Sequence, residues 1–200
     1  MLQIKNKHSM KSINILNESL NSHEELIKRI NEDLKNQILL LSEKIILILR
    51  NGGIIFWCGN GGSATDSLHL SAELLGRFQI KNSPPFKSIS LTSDIALITC
   101  ISNDFCYENI FERQIQGIGT SKDMLIALST SGRSKNIINA LKMAKSKGLT
   151  TASFLGKNIE NTKPFVDYCI SIPSDNVARI QEMHLLIGHI ICQIVEDKLS

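Results

Sequence analysis

His69 and Glu73 stand four residues apart in the run Ala64-Thr-Asp-Ser-Leu-His69-Leu-Ser-Ala-Glu73-Leu-Leu-Gly76-Arg-Phe78. On a helix that spacing puts both on one face, about one turn apart. An imidazole and a carboxylate so placed suit a metal-ligand pair, or a base with the group that orients it. Taken alone, the pair is also what an ordinary ion pair on a helix surface looks like. A second polar group interrupts an apolar C-terminal segment: Arg179-Ile-Gln181-Glu-Met-His184, then His189. A lone histidine in such a segment usually belongs to the core. Gln181, His184 and His189, beside the 69/73 pair, point towards a site.

Two further stretches have the chemistry of anion binding. Cys58-Gly-Asn60-Gly61-Gly62-Ser63 follows the apolar run Ile54-Ile-Phe-Trp57 and precedes the His69 helix. Strand, glycine turn and helix start give a ligand close access to backbone N–H groups and to the positive end of a helix dipole. Ser129-Thr130-Ser131-Gly132-Arg133-Ser134 offers four hydroxyls and a glycine at another helix start. A capping serine in a flexible loop would read the same way. Two such loops on one sheet edge favour phosphate. Gly59-x-Gly61-x-x-Ala64 also matches a dinucleotide fingerprint. That fingerprint needs an acid at the end of the second strand, where Leu91-Thr92-Ser93 stands and Asp94 comes late.

Elements must hold these groups together. Strands are expected at 54–58, 88–91, 124–128, 151–155 and 168–172. Helices are expected at 64–78, 94–102, 108–117, 134–147 and 176–198. Short apolar strands alternating with helices imply an α/β fold, a three-layer αβα sandwich around a five-stranded parallel sheet. Residues 9–50 read as helices, with a start at Ser22 ahead of Glu24 and Glu25. Their stripe of Leu26, Ile27, Ile30, Leu34, Ile38, Leu41 and Ile45 is long for one sheet face, which favours a subunit interface. Ligands of open parallel sheets lie beyond the carboxyl ends of the strands. Residues 60–63, Asn103-Asp104, 129–134 and the 179–189 segment all fall at that edge.

The chain has 200 residues, 42% of them hydrophobic, enough for one domain with an added helical arm. A net charge of +3 with scattered basic residues and few aromatics argues against a nucleic-acid groove. Cys58, Cys100, Cys106, Cys169 and Cys192 show no CxxC spacing and suit reduced thiols in the cytoplasm. The first eight residues lack a signal-peptide core, and no apolar stretch is long enough for a membrane span.

Together, Cys58-Gly-Asn-Gly-Gly-Ser63, His69-x3-Glu73-x2-Gly76-Arg77, Asn103-Asp104-Phe105, Ser129-Thr-Ser-Gly132-x-Ser134 and Arg179-Ile-Gln181-Glu-x-His184-x4-His189 resemble the phosphoheptose isomerase family of SIS-domain (sugar isomerase) proteins. The resemblance covers nearly the whole chain. It implies a single SIS domain over 1–200, flavodoxin-like, with residues 1–52 as a helical arm and 53–200 as the core. It implies conversion of sedoheptulose 7-phosphate to D-glycero-D-manno-heptose 7-phosphate for bacterial surface polysaccharide. It also implies a cytoplasmic homotetramer with sites between subunits and one zinc ion per subunit. By motif match, His69, Glu73, Gln181 and His189 are the metal ligands, and Glu73 and His189 the acid–base pair. Asn60, Gly61, Gly62, Glu73, Asn103, Asp104, Ser129, Thr130, Ser131, Ser134 and Gln181 are the substrate contacts. Leu68 and Ala178 depart from the family's usual polar and acidic residues.

One point of geometry stands against the ligand set. Gln181 and His189 are eight apart, about 12 Å along a regular helix. Reaching one ion requires a distorted first turn or a ligand from another subunit. The alternatives are isomerisation of another sugar phosphate, or a tetrameric SIS-domain regulator that binds the replication initiator. The His69/Glu73/Gln181/His189 set favours the enzyme.

Overall fold

The computed structural model describes residues 10–200. The expected helix start at Ser9 and the reading of the first eight residues lie outside this range. Five strands form one sheet: β1 Ile55–Gly59, β2 Ser88–Ser90, β3 Met124–Ser129, β4 Thr150–Leu155 and β5 Tyr168–Ser171. The helices are α1 Met10–Lys28, α2 Glu32–Arg50, α3 Gly62–Leu75, α4 Ile95–Asp104, α5 Glu112–Ile118, α6 Lys135–Ser146 and α7 Val177–Leu199. The helix expected at 108–117 is divided. A 3-10 turn at Tyr107–Asn109 precedes α5.

All pairings are parallel, in the order β2-β1-β3-β4-β5. The central strands β1 and β3 are covered on both faces, so they read as apolar runs, whereas the edge strand β2 is Ser88-Ile89-Ser90 with Ile89 exposed. Alternate side chains feed two cores. Ile55, Trp57, Met124, Ile126 and Leu128 join α2, α3 and α7 on one face. Phe56, Cys58, Leu125 and Ala127 join α5 and α6 on the other. Strand order reverses between β1 and β3, and Gly59 pairs with Leu128 at their carboxyl ends. The loops leaving these strands therefore start side by side, where such sheets bind ligands.

The N-terminal helices correct two expectations. Ser22 lies inside α1 and starts nothing. Asn31 is the true cap, its side chain accepting from Leu34 N at 2.9 Å, with Glu32 and Asp33 in the first turn. Nor is the stripe reserved for another subunit. Leu26, Ile38, Leu41 and Ile45 are buried in this chain's own core, whereas Ile27 is exposed. A different set on α1 and α2 faces outward: Ile13, Leu16, Leu20, Leu39 and Leu47.

Two side chains of the 179–184 motif fasten α1. Arg179 Nη1 donates to Ser19 O at 2.6 Å, and its Nη2 pairs with Glu182. On the same face of the sheet, hydroxyls tie α3 to β2. Trp57 Nε1 donates to Ser88 Oγ at 2.9 Å, Ser88 Oγ donates to Ser71 Oγ at 3.2 Å, and Ser67 and Ser90 hydroxyls meet at 3.0 Å. Small residues on that face of α3 let it lie close to the sheet. Among the described residues, no helix is long and apolar enough to cross a membrane.

Candidate active site

The first part of the site is built from loops. Gly61 takes φ +55°, a left-handed conformation that turns β1 sharply into α3. Asn60 is fixed by its amide. Its Nδ2 donates to Asn136 Oδ1 at 2.9 Å, and its Oδ1 accepts from Asn136 Nδ2 at 2.8 Å and from the Tyr107 hydroxyl at 2.9 Å. Across the strand reversal, Ser129 Oγ accepts from Gly132 N at 3.2 Å and Ser131 Oγ from Arg133 N at 3.2 Å. Ser134 caps α6, but its side chain makes no capping bond. Asn60, Ser63, Leu128, Ser129, Thr130, Ser131 and Ser134 enclose a hollow of about 50 Å³. Hydroxyl donors there meet the positive end of a twelve-residue helix, the arrangement that holds a phosphate group.

The second part is built from helix faces. Gly188 lets α7 approach α3, because a Cβ there would stand 2.6 Å from two Leu70 carbons. That approach brings His189 to the His69 pair. His69 Nε2 lies 2.9 Å from His189 Nε2 and 3.1 Å from Glu73 Oε1. One ligand-type atom from each of His69, Glu73 and His189 falls within 4.8 Å of the others. Burial and the nearby His69 push the His189 pKa below its ordinary value, with Glu73 opposing. That shift favours the neutral imidazole, the form a ligand or proton acceptor needs.

The other expected residues are placed differently. The Gln181 amide packs against Gly62, its atoms 2.4–2.8 Å from where a Gly62 Cβ would stand. This is the start of α3, and His69 follows seven residues, about 10 Å, further along. Within one chain, three of the four expected ligands converge and Gln181 lies beside the glycine loop. Asn103 and Asp104 sit exposed at the end of α4, bonded to each other through Asn103 Nδ2 at 2.8 Å. His184 belongs to the core. Its Nε2 donates to Leu155 O at 3.1 Å, and its Nδ1 is buried without a partner among the described residues. Asp94 caps α4 by accepting from Leu97 N, so it is not the ribose-binding acid of a dinucleotide site.

Sequence reasoning missed Asn136, Tyr107 and Phe78. The Phe78 ring stacks on His189 with centroids 5.4 Å apart. Each acts through a contact distant in sequence, and no local spacing marks it.

Comparison with known proteins defines the class first. Residues 20–156 match the family model described as the SIS domain. The chain is 41% identical over 192 residues to a phosphoheptose isomerase of Aneurinibacillus thermoaerophilus, covering 96% of this chain and 92% of that one. It is 43% identical over 151 residues to one from Akkermansia muciniphila, covering 76% and 79%. The solved structure of a phosphoheptose isomerase from Francisella tularensis superposes with a TM-score of 0.89 at 31% identity, over 94% of this chain and 100% of that chain. The chain belongs to the phosphoheptose isomerase family and is, by that membership, an isomerase.

Proposed function

We propose that the chain converts sedoheptulose 7-phosphate to D-glycero-D-manno-heptose 7-phosphate, the first step towards nucleotide-activated heptose for a bacterial surface polysaccharide such as lipopolysaccharide or capsule. The observation that carries this reading is the meeting of His69, Glu73 and His189 on α3 and α7, with a phosphate-sized hollow where α3 starts at the β1/β3 reversal. The hollow takes the 7-phosphate. Asn60, Gly61, Gly62 and Gln181 line the approach, with Asn103 and Asp104 contributing from α4. Glu73 removes the C1 proton of the open-chain ketose, exchanges it with solvent at the enediol stage, and delivers a proton to C2. His189 moves the hydroxyl proton between O2 and O1. Atoms balance, and no oxidant or reductant is consumed.

Two imidazole nitrogens and a carboxylate within 4.8 Å of one another suit a zinc ion in chemistry and spacing. His69, Glu73 and His189 would hold it, and a bound zinc would polarise the substrate's carbonyl oxygen. Gln181 is the fourth proposed ligand, joining from a neighbouring copy or after the start of α7 rearranges. A neighbouring copy fits the proposed cytoplasmic homotetramer, for which the outward-facing Ile13, Leu16, Leu20, Leu39 and Leu47 supply apolar surface.

The test is incubation of the protein with a panel of ketose phosphates and a hexosamine phosphate in D2O, with products identified by NMR. The expected product is the heptose 7-phosphate carrying deuterium at C2. Turnover of a pentulose or hexosamine phosphate in preference to sedoheptulose 7-phosphate would overturn the substrate assignment.

A further inference from the structure

The His189 ring is held on two sides. The His69 ring meets it edge-on, with centroids 5.0 Å apart and planes at 65°. The Phe78 ring lies against it nearly parallel, at 12° between planes. The last torsion of a histidine side chain has broad, weak preferences. Its plane is therefore set jointly by what its nitrogens bond and by what packs on its faces. Phe78 follows the end of α3 in a segment that is neither helix nor strand. Such a segment needs an anchor if it is to hold a ring in one orientation.

The anchor is Glu196. Its Oε1 accepts from Phe78 N at 3.1 Å, and its Oε2 from Gln79 N at 2.8 Å and Ile80 N at 3.0 Å. The residue is only 3% exposed. Hydrogen bonds to a buried carboxylate are among the strong ones, and removing the charge would leave three donors short. Glu196 lies seven residues beyond His189 on α7, two turns along one face. The helix that carries the imidazole thus also fixes, through Glu196, the ring stacked upon it.

We propose that Phe78, anchored by Glu196, is a positioning residue that sets the plane of the His189 imidazole; this rests on the role given to His189 above. A segment tied down only for stability would have no reason to keep a ring parallel to that imidazole. The stacking supplies a readout independent of turnover. An aromatic ring this close shifts the imidazole C–H protons by its ring current, each according to its place relative to the ring face.

The experiment uses the full chain with isotope-labelled histidine, the His189 signals being assigned with His189→Gln. The wild-type His189 C–H protons should be displaced from the positions they take without the ring. Phe78→Leu should abolish the displacement and lower kcat about tenfold with KM within about twofold, since small misplacements of a proton-transfer group cost rate rather than binding. Phe78→Tyr restores the ring and should restore both. Glu196→Gln should weaken the displacement in the same direction. An undisplaced His189 signal in the wild type overturns the proposal without any variant, as does a Phe78→Leu protein with unchanged kcat. Failure of the substrate assignment is separate. The wild type would then be inactive on sedoheptulose 7-phosphate while the ring-current displacement remained.

Discussion

The two halves of the site are made of different materials. The phosphate hollow is made of loop backbone and short hydroxyl side chains, grouped within residues 60–63 and 128–134. The His69–Glu73–His189 cluster is made of long side chains on two helices that meet across 120 residues of sequence. The first depends on strand register, since the ends of β1 and β3 are level. The second depends on how closely α3 and α7 pack. Damage to one half should therefore be separable from damage to the other.

The largest separation comes from Glu73→Gln. It keeps the shape of the side chain and removes the proposed base, so kcat should fall by about 10²- to 10⁴-fold. Exchange of the substrate's C1 hydrogen with D2O should stop while sugar phosphate still binds. Metal content must be measured on the same sample. Wild-type exchange in a folded, metal-replete variant would transfer the role to another carboxylate, such as Asp104 or Glu182.

Next comes a control that touches neither half. Burial pushes the His184 pKa from 6.5 down to about 4. Between those values the unfolded chain binds a proton that the folded chain refuses, so stability falls as pH falls through that window. The loss is roughly 3 kcal/mol by pH 4. His184→Gln should flatten the dependence of Tm on pH over that range. An equally steep profile in the variant would assign the pH response to other groups.

Smaller effects sharpen the comparison from each side. Ser131→Ala removes one donor from the hollow and should raise KM about tenfold with little change in kcat, as remote uniform binding does. A normal KM with a collapsed kcat would move the phosphate elsewhere. Gly188→Ala acts on the cluster alone. Its added methyl crowds Leu70, overpacking partly offset by better helix propensity, for a net destabilisation of roughly 1 kcal/mol. Metal retention should fall while competition by inorganic phosphate stays as in the wild type. Equal loss of both would mean that the halves are coupled.

What could be read in advance follows the same division. Strands buried on both faces show as apolar runs, and the five expected ones lie within a residue or so of the observed ones. The hollow was legible because its residues are neighbours in sequence. The His69–Glu73 pair was legible through helical spacing; that His189 falls at the same sheet edge was legible from the topology, and that it shares their cluster came through resemblance. Ser22 misled because serine followed by glutamates also occurs inside helices, and the real break is marked by Asn31. His184 and His189 show the limit most clearly. Five residues apart on one helix, they point to different surroundings, and only packing tells which one meets Phe154 and which Phe78. Glu196 was invisible because its partners are backbone N–H groups, which every residue except proline carries.

The late place of α7 in the chain has a consequence for how the protein is made. Synthesis delivers α2 and α3 long before the helix that packs on them. Until then Ile38, Leu41, Leu70 and Leu74, which share the α7 side of the core, lack their cover. Contacts of such long sequence separation form late, and apolar surface left waiting is prone to association. A chain stopped just short of residue 177 would still carry the whole phosphate hollow, yet it should be a client for chaperones rather than half an enzyme.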